Sequence, residues 1–212
     1  MYRIVPICLL LLSAPLHADS FIRDDMITDP KPSLFDICYN GTCEDLAQVS
    51  LKEAQWQKIR DIFLTPSPDA GEEREKIKLA IALMENMVGK LTGTYVDKAM
   101  TFEYMGLEGQ LDCIDESINT TIYLTMMLND GLLKWHSIED RETRGFFIFG
   151  WPHTTAVIRD RQSKEKFVVD SWFGDNGEQP HIVPLDMWND GWNPPGIGNS
   201  RQKAGRSQQK GP

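Results

Sequence analysis

No stretch after residue 18 is apolar enough to cross a bilayer as a helix, so no transmembrane anchor is expected. Histidine and cysteine are scarce, four of each, and neither a His-x-x-x-His nor a Cys-x-x-Cys spacing occurs. Those absences speak against a zinc site and against thioredoxin-type redox chemistry. No metal and no cofactor are expected. Positive charge is also short: 22 Lys and Arg against 31 Asp and Glu leave a net charge of −9. An acidic chain is a poor partner for nucleic acid. No internal repeat is found, and no low-complexity stretch precedes the C-terminal tail, so a solenoid or array is not indicated.

What is present fits one globular domain of 212 residues, 41% apolar and 25% charged. Residues 1–18 stand apart. Arg3 precedes the apolar run Ile7–Leu12, and small residues surround Ala18, the pattern of a secretory signal peptide cut near that residue. The expected location is secreted or periplasmic. Residues 196–212 carry Arg201, Lys203, Arg206 and Lys210, no acid and almost no apolar residue, which predicts a disordered basic tail. With Arg3 the only formal charge in the leader, the body 19–195 carries −14.

Past the leader three cysteines remain. Cys38 and Cys43 flank Tyr39-Asn-Gly-Thr42, a turn able to bring them together, so they are the expected disulfide. Cys113 is left over, and an odd thiol in an exported protein is intermolecular, reactive or simply buried.

Residues 19–45, with Pro30 and Pro32, read as an irregular arm. Ser50-Leu-Lys-Glu53 has the form of a capping box, and Trp56, Ile59, Ile62 and Phe63 follow at helical spacing, predicting a helix over 51–64. A second helix is expected from Asp69–Glu75 to Gly89–Gly93, with Ile77, Ala80, Ile81, Met84, Met87 and Val88 on its apolar face. Residues 94–111 read as a loop entering a third helix over 113–128. The pattern then changes to short β-type runs at 136–138, 145–149, 154–159 and 166–170, with Asp160–Ser163 as a turn. Helices followed by an antiparallel meander give an α+β domain, residues 19–195.

Three segments carry chemistry. Cys113 opens the third helix, where unpaired N–H groups favour a thiolate. His153 opens one strand and Asp170 ends the next, with 16 residues between them, enough for two paired strands and a turn. An imidazole beside a thiol can take its proton, and a carboxylate can hold the imidazole by its other nitrogen. His136 competes as the base but has no carboxylate one hairpin away. Cys113, His153 and Asp170 could also ligate zinc, without support from spacing. Trp151, Trp172, Phe173, Trp188 and Trp192 crowd the C-terminal part and are expected in core and lid packing.

The order Cys, His, Asp and its surroundings resemble the transglutaminase-like cysteine peptidase superfamily, which shares the papain fold. Asp112-Cys-Ile-Asp-Glu116 is similar to the Asp-Cys-x-Asp pattern of bacterial members, and Asp170-Ser-Trp172 is similar to the Asn-Ser-Trp of papain-like enzymes. The likeness spans about residues 100–190. It implies a Cys-bearing central helix packed on an antiparallel sheet and a Cys113-His153-Asp170 triad. It also implies Trp172 as a shield over the His–Asp hydrogen bond, and an oxyanion hole made by the Cys113 N–H with Gln110. Tyr104 and Tyr95 are the alternative donors. The activity implied is cleavage or transfer of an amide acyl group, with a protein or peptide amide as substrate. A catalytically silent binding module in the periplasm or envelope, and a redox protein exchanging Cys113 with Cys38 or Cys43, are the readings from other classes.

Overall fold

The computed structural model describes residues 23–101, 107–145 and 152–196. The leader 1–18, the tail from 197 onward, the expected strand residues 146–149, Trp151 and Tyr104 lie outside the described residues.

The chain runs β1 (Phe35–Tyr39), β2 (Asp45–Val49), α1 (Glu53–Ile62), α2 (Ala70–Thr92), a 3₁₀ turn (Thr94–Val96), α3 (Cys113–Asn129), β3 (His136–Arg144), β4 (His153–Asp160), β5 (Lys166–Asp170), β6 (His181–Pro184) and α4 (Leu185–Asn189). It is an α+β arrangement with two antiparallel sheets, a β1–β2 hairpin and a four-stranded meander in the order β3-β4-β5-β6.

The helices start where local chemistry supplies acceptors. Asp69 accepts from the Glu72 N–H at 2.8 Å and starts α2, and Gly93, at φ 89°, ends it in the left-handed conformation that glycine tolerates. α3 has a reciprocal box: Asp112 Oδ1 accepts from the N–H of Ile114 and Asp115, both at 2.9 Å, while Asp115 Oδ2 accepts from the Asp112 N–H at 3.2 Å. The expected box at Ser50–Glu53 does not form. α1 begins two residues later, with Gln55 Oε1 accepting from the Lys52 N–H at 2.9 Å, because Leu51 is buried and its N–H is held by Pro32 O.

One apolar core joins the layers. Trp56 and Ile59 of α1, Ile77, Ile81 and Met84 of α2, Leu124 and Met127 of α3, and Ala156, Ile158, Phe167 and Val169 of the sheet meet there, all buried. Truncating one of the fully enclosed aliphatic side chains, Ile77→Ala for example, costs about 2–5 kcal/mol. α3 lies on β4, and its C-terminal end is tied to α1 by Asp130, which accepts from Trp56 Nε1 at 2.9 Å and Arg60 Nε at 2.7 Å.

The arm expected over 19–45 is in part a hairpin. Phe35 and Ile37 enter the core, but the residue between them, Asp36, is also buried and accepts from the Ile27 N–H at 2.8 Å, so no alternation marks the strand. Cys38 and Cys43 close the hairpin turn, with Cα atoms 4.6 Å apart in a disulfide. Among the described residues no helix is long and apolar enough to cross a membrane.

Candidate functional site

Cys113 is the first residue of α3, His153 the first of β4 and Asp170 the last of β5. The β4–β5 register pairs Ala156 with Val169, which puts His153 and Asp170 at the same end of the hairpin. Their side chains meet: His153 Nε2 lies 2.8 Å from Asp170 Oδ2. Both are buried, at 6% and 2% exposure, so solvent competes little for that bond.

The same Asp170 oxygen accepts a second bond, from Trp188 Nε1 at 2.8 Å. The imidazole is boxed by rings, with centroids 4.6 Å from Trp172, 5.4 Å from Phe173 and 5.4 Å from Trp188. Trp172 packs obliquely against the imidazole, at an interplanar angle of 43°, and Trp188 also donates to the carboxylate directly. Trp188 is itself held by Arg144, the residue opposite His153 in the β3–β4 register. The Arg144 guanidinium sits 4.3 Å above the Trp188 ring and donates to the carbonyl oxygens of Trp188 and Trp192. Nothing in the sequence distinguished Trp188 from its neighbouring tryptophans, because the link runs through a 3D contact 18 residues away.

With Nε2 engaged, the other ring nitrogen decides what His153 can do. Nδ1 is buried and makes no hydrogen bond. Cys113 lies nearby: its sulfur accepts from the backbone N–H of Thr154, the residue after His153. It also packs in one cluster with Trp172 and Phe173, the rings that flank the imidazole. Cys113 is a free thiol at 8% exposure.

The expected thiolate at a helix N-terminus is not what the surroundings favour. Burial pushes the Cys113 thiol up to about 12, the charges of Asp112 and Asp170 add to the rise, and the Thr154 N–H only partly opposes it. The physical reason is local. The α3 N–H groups that would stabilise a thiolate already point at the Asp112 carboxylate. As the first helical residue, Cys113 keeps an N–H without an intrahelical acceptor.

Gln110 is placed differently from the oxyanion expectation. Its Nε2 donates to Val96 O at 3.0 Å, and its Oε1 accepts from the Lys98 N–H at 3.2 Å and the Thr101 hydroxyl at 3.3 Å. The amide fastens the segment 96–101, so it is a loop clamp. Tyr95 is 63% exposed.

His136 has a carboxylate partner after all, supplied by α2: Nδ1 lies 2.9 Å from Glu73 Oε1. Glu73 also accepts the N–H of Lys134, Trp135 and His136. The pair is almost completely enclosed, at 0% and 1% exposure. His136 opposes Asp160, at the far end of β4 from His153, seven residues or ~23 Å along the strand. It is a buried structural pair remote from Cys113.

Two further groups escaped the sequence. His181 opposes Asp170 across β5–β6 and meets Trp192 and Phe173 edge to face, with centroids 5.3 and 6.1 Å away. Burial holds its pKa below the usual histidine value. A set of carboxyls lies where α2 and α3 meet: half-buried Glu85 of α2, buried Asp97 and buried Glu116 of α3. Asp97 Oδ1 accepts from the Leu111 N–H at 2.7 Å and Glu85 Oε2 from the Gly177 N–H at 2.9 Å. Asp97 Oδ2 and Glu116 Oε2 are buried without a hydrogen-bond partner, and burial together with the neighbouring carboxyls pushes both groups up. Among the described residues, no group of three or more His, Cys, Asp or Glu is arranged to hold a metal ion.

Comparison of the chain with family models, with curated proteins and with solved structures finds no significant match.

Proposed function

We propose that this domain is an exported thiol enzyme of the transglutaminase and papain type, acting on amide acyl groups with Cys113, His153 and Asp170 as its triad. The observation that carries the reading is the division of labour at His153. Nε2 is fixed on a carboxylate, and Nδ1 is left buried and unpartnered on the strand end that also holds the Cys113 sulfur. A packing histidine has no reason to leave a buried ring nitrogen unsatisfied, since that costs about 1–3 kcal/mol.

The chemistry follows from that arrangement. Cys113 Sγ attacks the amide carbonyl carbon while His153 Nδ1 takes the thiol proton. Because the resting thiol is held protonated, transfer accompanies attack and no thiolate–imidazolium pair waits beforehand. Asp170 stabilises the imidazolium and fixes its tautomer, and Trp188 holds Asp170 in line. The Cys113 N–H is the available backbone donor for the oxyanion. His153 returns the proton to the leaving amine, leaving a thioester on Cys113. Water then resolves it, being the abundant acceptor; an amine would give transamidation. The Cys38–Cys43 disulfide supports an exported location.

The test is turnover of a set of unstructured peptides, read by mass spectrometry of the products. Wild type is expected to cleave at least one, Cys113→Ala none, and Asp170→Asn about 10⁴-fold more slowly. Wild-type turnover by both variants removes the triad. No cleavage by any of the three turns the reading to a binding module that keeps the fold.

A further inference from the structure

Two short segments on either side of the first turn of α3 are bound to the disulfide loop, and all but one of the contacts are to the loop's backbone. Asn40, Gly41, Thr42 and Cys43 have φ of 68°, 86°, 51° and 55°, four successive residues in the left-handed region. Only one is glycine, and a β-branched threonine resists that conformation most. The conformation turns successive N–H groups to one side, forming an anion-binding concavity. The anions are the cap carboxylates of α3. Gly41 N–H donates to Asp115 Oδ2, Thr42 N–H to Asp112 Oδ2 and Cys43 N–H to Asp115 Oδ1, each at 2.7 Å. On one side, the Asn40 N–H donates to Gln110 O at 3.1 Å and Asn40 Oδ1 accepts from Gly109 at 3.3 Å. On the other, Asn119 brackets Cys38, accepting its N–H at 2.7 Å and donating to its carbonyl at 2.8 Å.

Cys113 sits between Asp112 and Asp115, so the loop grips the helix turn that carries it. Asp112 and Asp115 are buried at 8% and 0% exposure. Buried carboxylates persist only where N–H groups replace their water, and here three of those groups come from a turn whose backbone is held in an unfavourable region by the ring the disulfide closes. Without the covalent closure, Thr42 and Cys43 are free to leave positive φ, and Asp112 then loses the Thr42 N–H and Asp115 loses those of Gly41 and Cys43, which leaves only the donors of the α3 cap itself.

We infer that the Cys38–Cys43 loop positions Cys113 through Asp112 and Asp115, so that the enzyme works only while Cys38 and Cys43 are oxidised and Cys113 is reduced. The inference rests on the thiol-enzyme reading, and it gives activity a window of redox potential. On the upper side a small disulfide such as oxidised glutathione exchanges with Cys113: the Cys113 sulfur attacks it, a mixed disulfide forms, and the other half leaves as a thiol carrying the proton. On the lower side a dithiol reductant acts: one of its sulfurs attacks a disulfide sulfur, the protein S–S bond breaks, and the second reductant sulfur closes the reductant into its own disulfide. Two electrons and two protons end on Cys38 and Cys43 as thiols. Both sulfurs are buried, at 0% and 4% exposure, so this step is slow in the native protein. Asp115 is a positioning residue here, since it touches neither sulfur nor substrate.

The experiment equilibrates the full chain anaerobically in graded mixtures of oxidised and reduced dithiothreitol. Four quantities are read at each potential: the Cys38–Cys43 state by mass mapping, peptide turnover, the alkylation rate of Cys113 by iodoacetamide, and far-UV circular dichroism. The expected result is that turnover falls at least tenfold with the same midpoint as disulfide opening. Alkylation of Cys113 speeds up at least tenfold at that midpoint, because the thiol leaves its buried seat, and the circular dichroism is retained. Cys38→Ser with Cys43→Ser is expected to show low turnover independent of potential. Full turnover with the disulfide open, or an unchanged alkylation rate, overturns the inference. Loss of the whole far-UV signal at the same midpoint also overturns it, since the disulfide would then hold the fold and not the site. If wild type cleaves no peptide, the proposed function fails, while the alkylation rate still decides whether loop and thiol are coupled.

Discussion

The buried carboxyls Asp97, Asp115 and Glu116 make the fold's stability fall as the solution becomes neutral, and a single substitution should reverse that. Asp97, 1% exposed, is pushed from an ordinary 3.8 up to about 7, mainly by burial. Glu116 is raised well above its usual value by burial and by the charges of Asp97, Glu85 and Asp170. Asp115 is also raised to about 7, by burial and by Asp112. A carboxyl whose folded pKa is raised stabilises the fold fully below its unfolded pKa near 4. That contribution is lost as pH rises through the folded value. At ~1.4 kcal/mol per pH unit, Asp97 alone corresponds to an upper figure of about 4 kcal/mol lost between pH 4 and 7. Because Asp97 and Glu116 titrate together, roughly half of that is the expected loss. At lower pH the opposite sign takes over. Glu73, Asp130, Glu139 and Asp160 are held below their ordinary values by hydrogen bonds and ion pairs, so their contribution is lost as pH falls through those values. Maximum stability is therefore expected near pH 4–5, where the two opposite trends meet. Glu116→Gln offers Asp97 a permanent N–H donor and removes one ionisable group from the cluster. In urea unfolding the variant should match wild type within about 1 kcal/mol at pH 5 and exceed it by about 1–2 kcal/mol at pH 8. Wild-type stability that is equal or higher at pH 8, or a variant weaker than wild type there, would refute the reasoning.

Trp188→Phe keeps the ring but deletes the donor to Asp170, so peptide turnover should fall about tenfold to a hundredfold with KM little changed, measured by steady-state kinetics. Glu73→Ala leaves three backbone N–H groups and His136 buried without an acceptor. It should cost about 3–5 kcal/mol in urea unfolding while the turnover of the remaining folded enzyme is unchanged. Gln110→Ala releases Val96, Lys98 and Thr101 and should lower stability by about 1–3 kcal/mol; hydrogen exchange at 96–101 is expected to rise.

The parts of the fold legible in sequence were those with a strong period and clear ends. α2 matched its expected span because Asp69 and Gly93 mark it at both ends, and β5 matched because Val168 and Val169 sit between a charged turn and a loop. β1 was hidden by Asp36, whose buried carboxylate is satisfied by a backbone N–H from Ile27 and so breaks the alternation. β6 was hidden because it has four residues, each only half-buried. At the site, the meeting of His153 with Asp170 was readable from strand length alone. The state of the Cys113 thiol was not: a helix N-terminus stabilises negative charge only where its donors are free, and Asp112 already occupies them. The link between the disulfide turn and the Asp112–Asp115 pair was out of reach for a similar reason, since it is made by backbone N–H groups that no side-chain pattern records.

The central claim is that His153 delivers Cys113 as a nucleophile, and acetylation by p-nitrophenyl acetate at pH 5.5 tests it most directly. At that pH an unassisted thiol with the ordinary pKa of about 8.5 is ionised to only roughly one part in a thousand, and Cys113 is held protonated more firmly still. Mass mapping of the quenched reaction should find acetyl on Cys113 in wild type. His153→Gln should lower that rate at least a hundredfold. Equal acetylation in the two proteins, or no adduct on wild-type Cys113, would contradict the account.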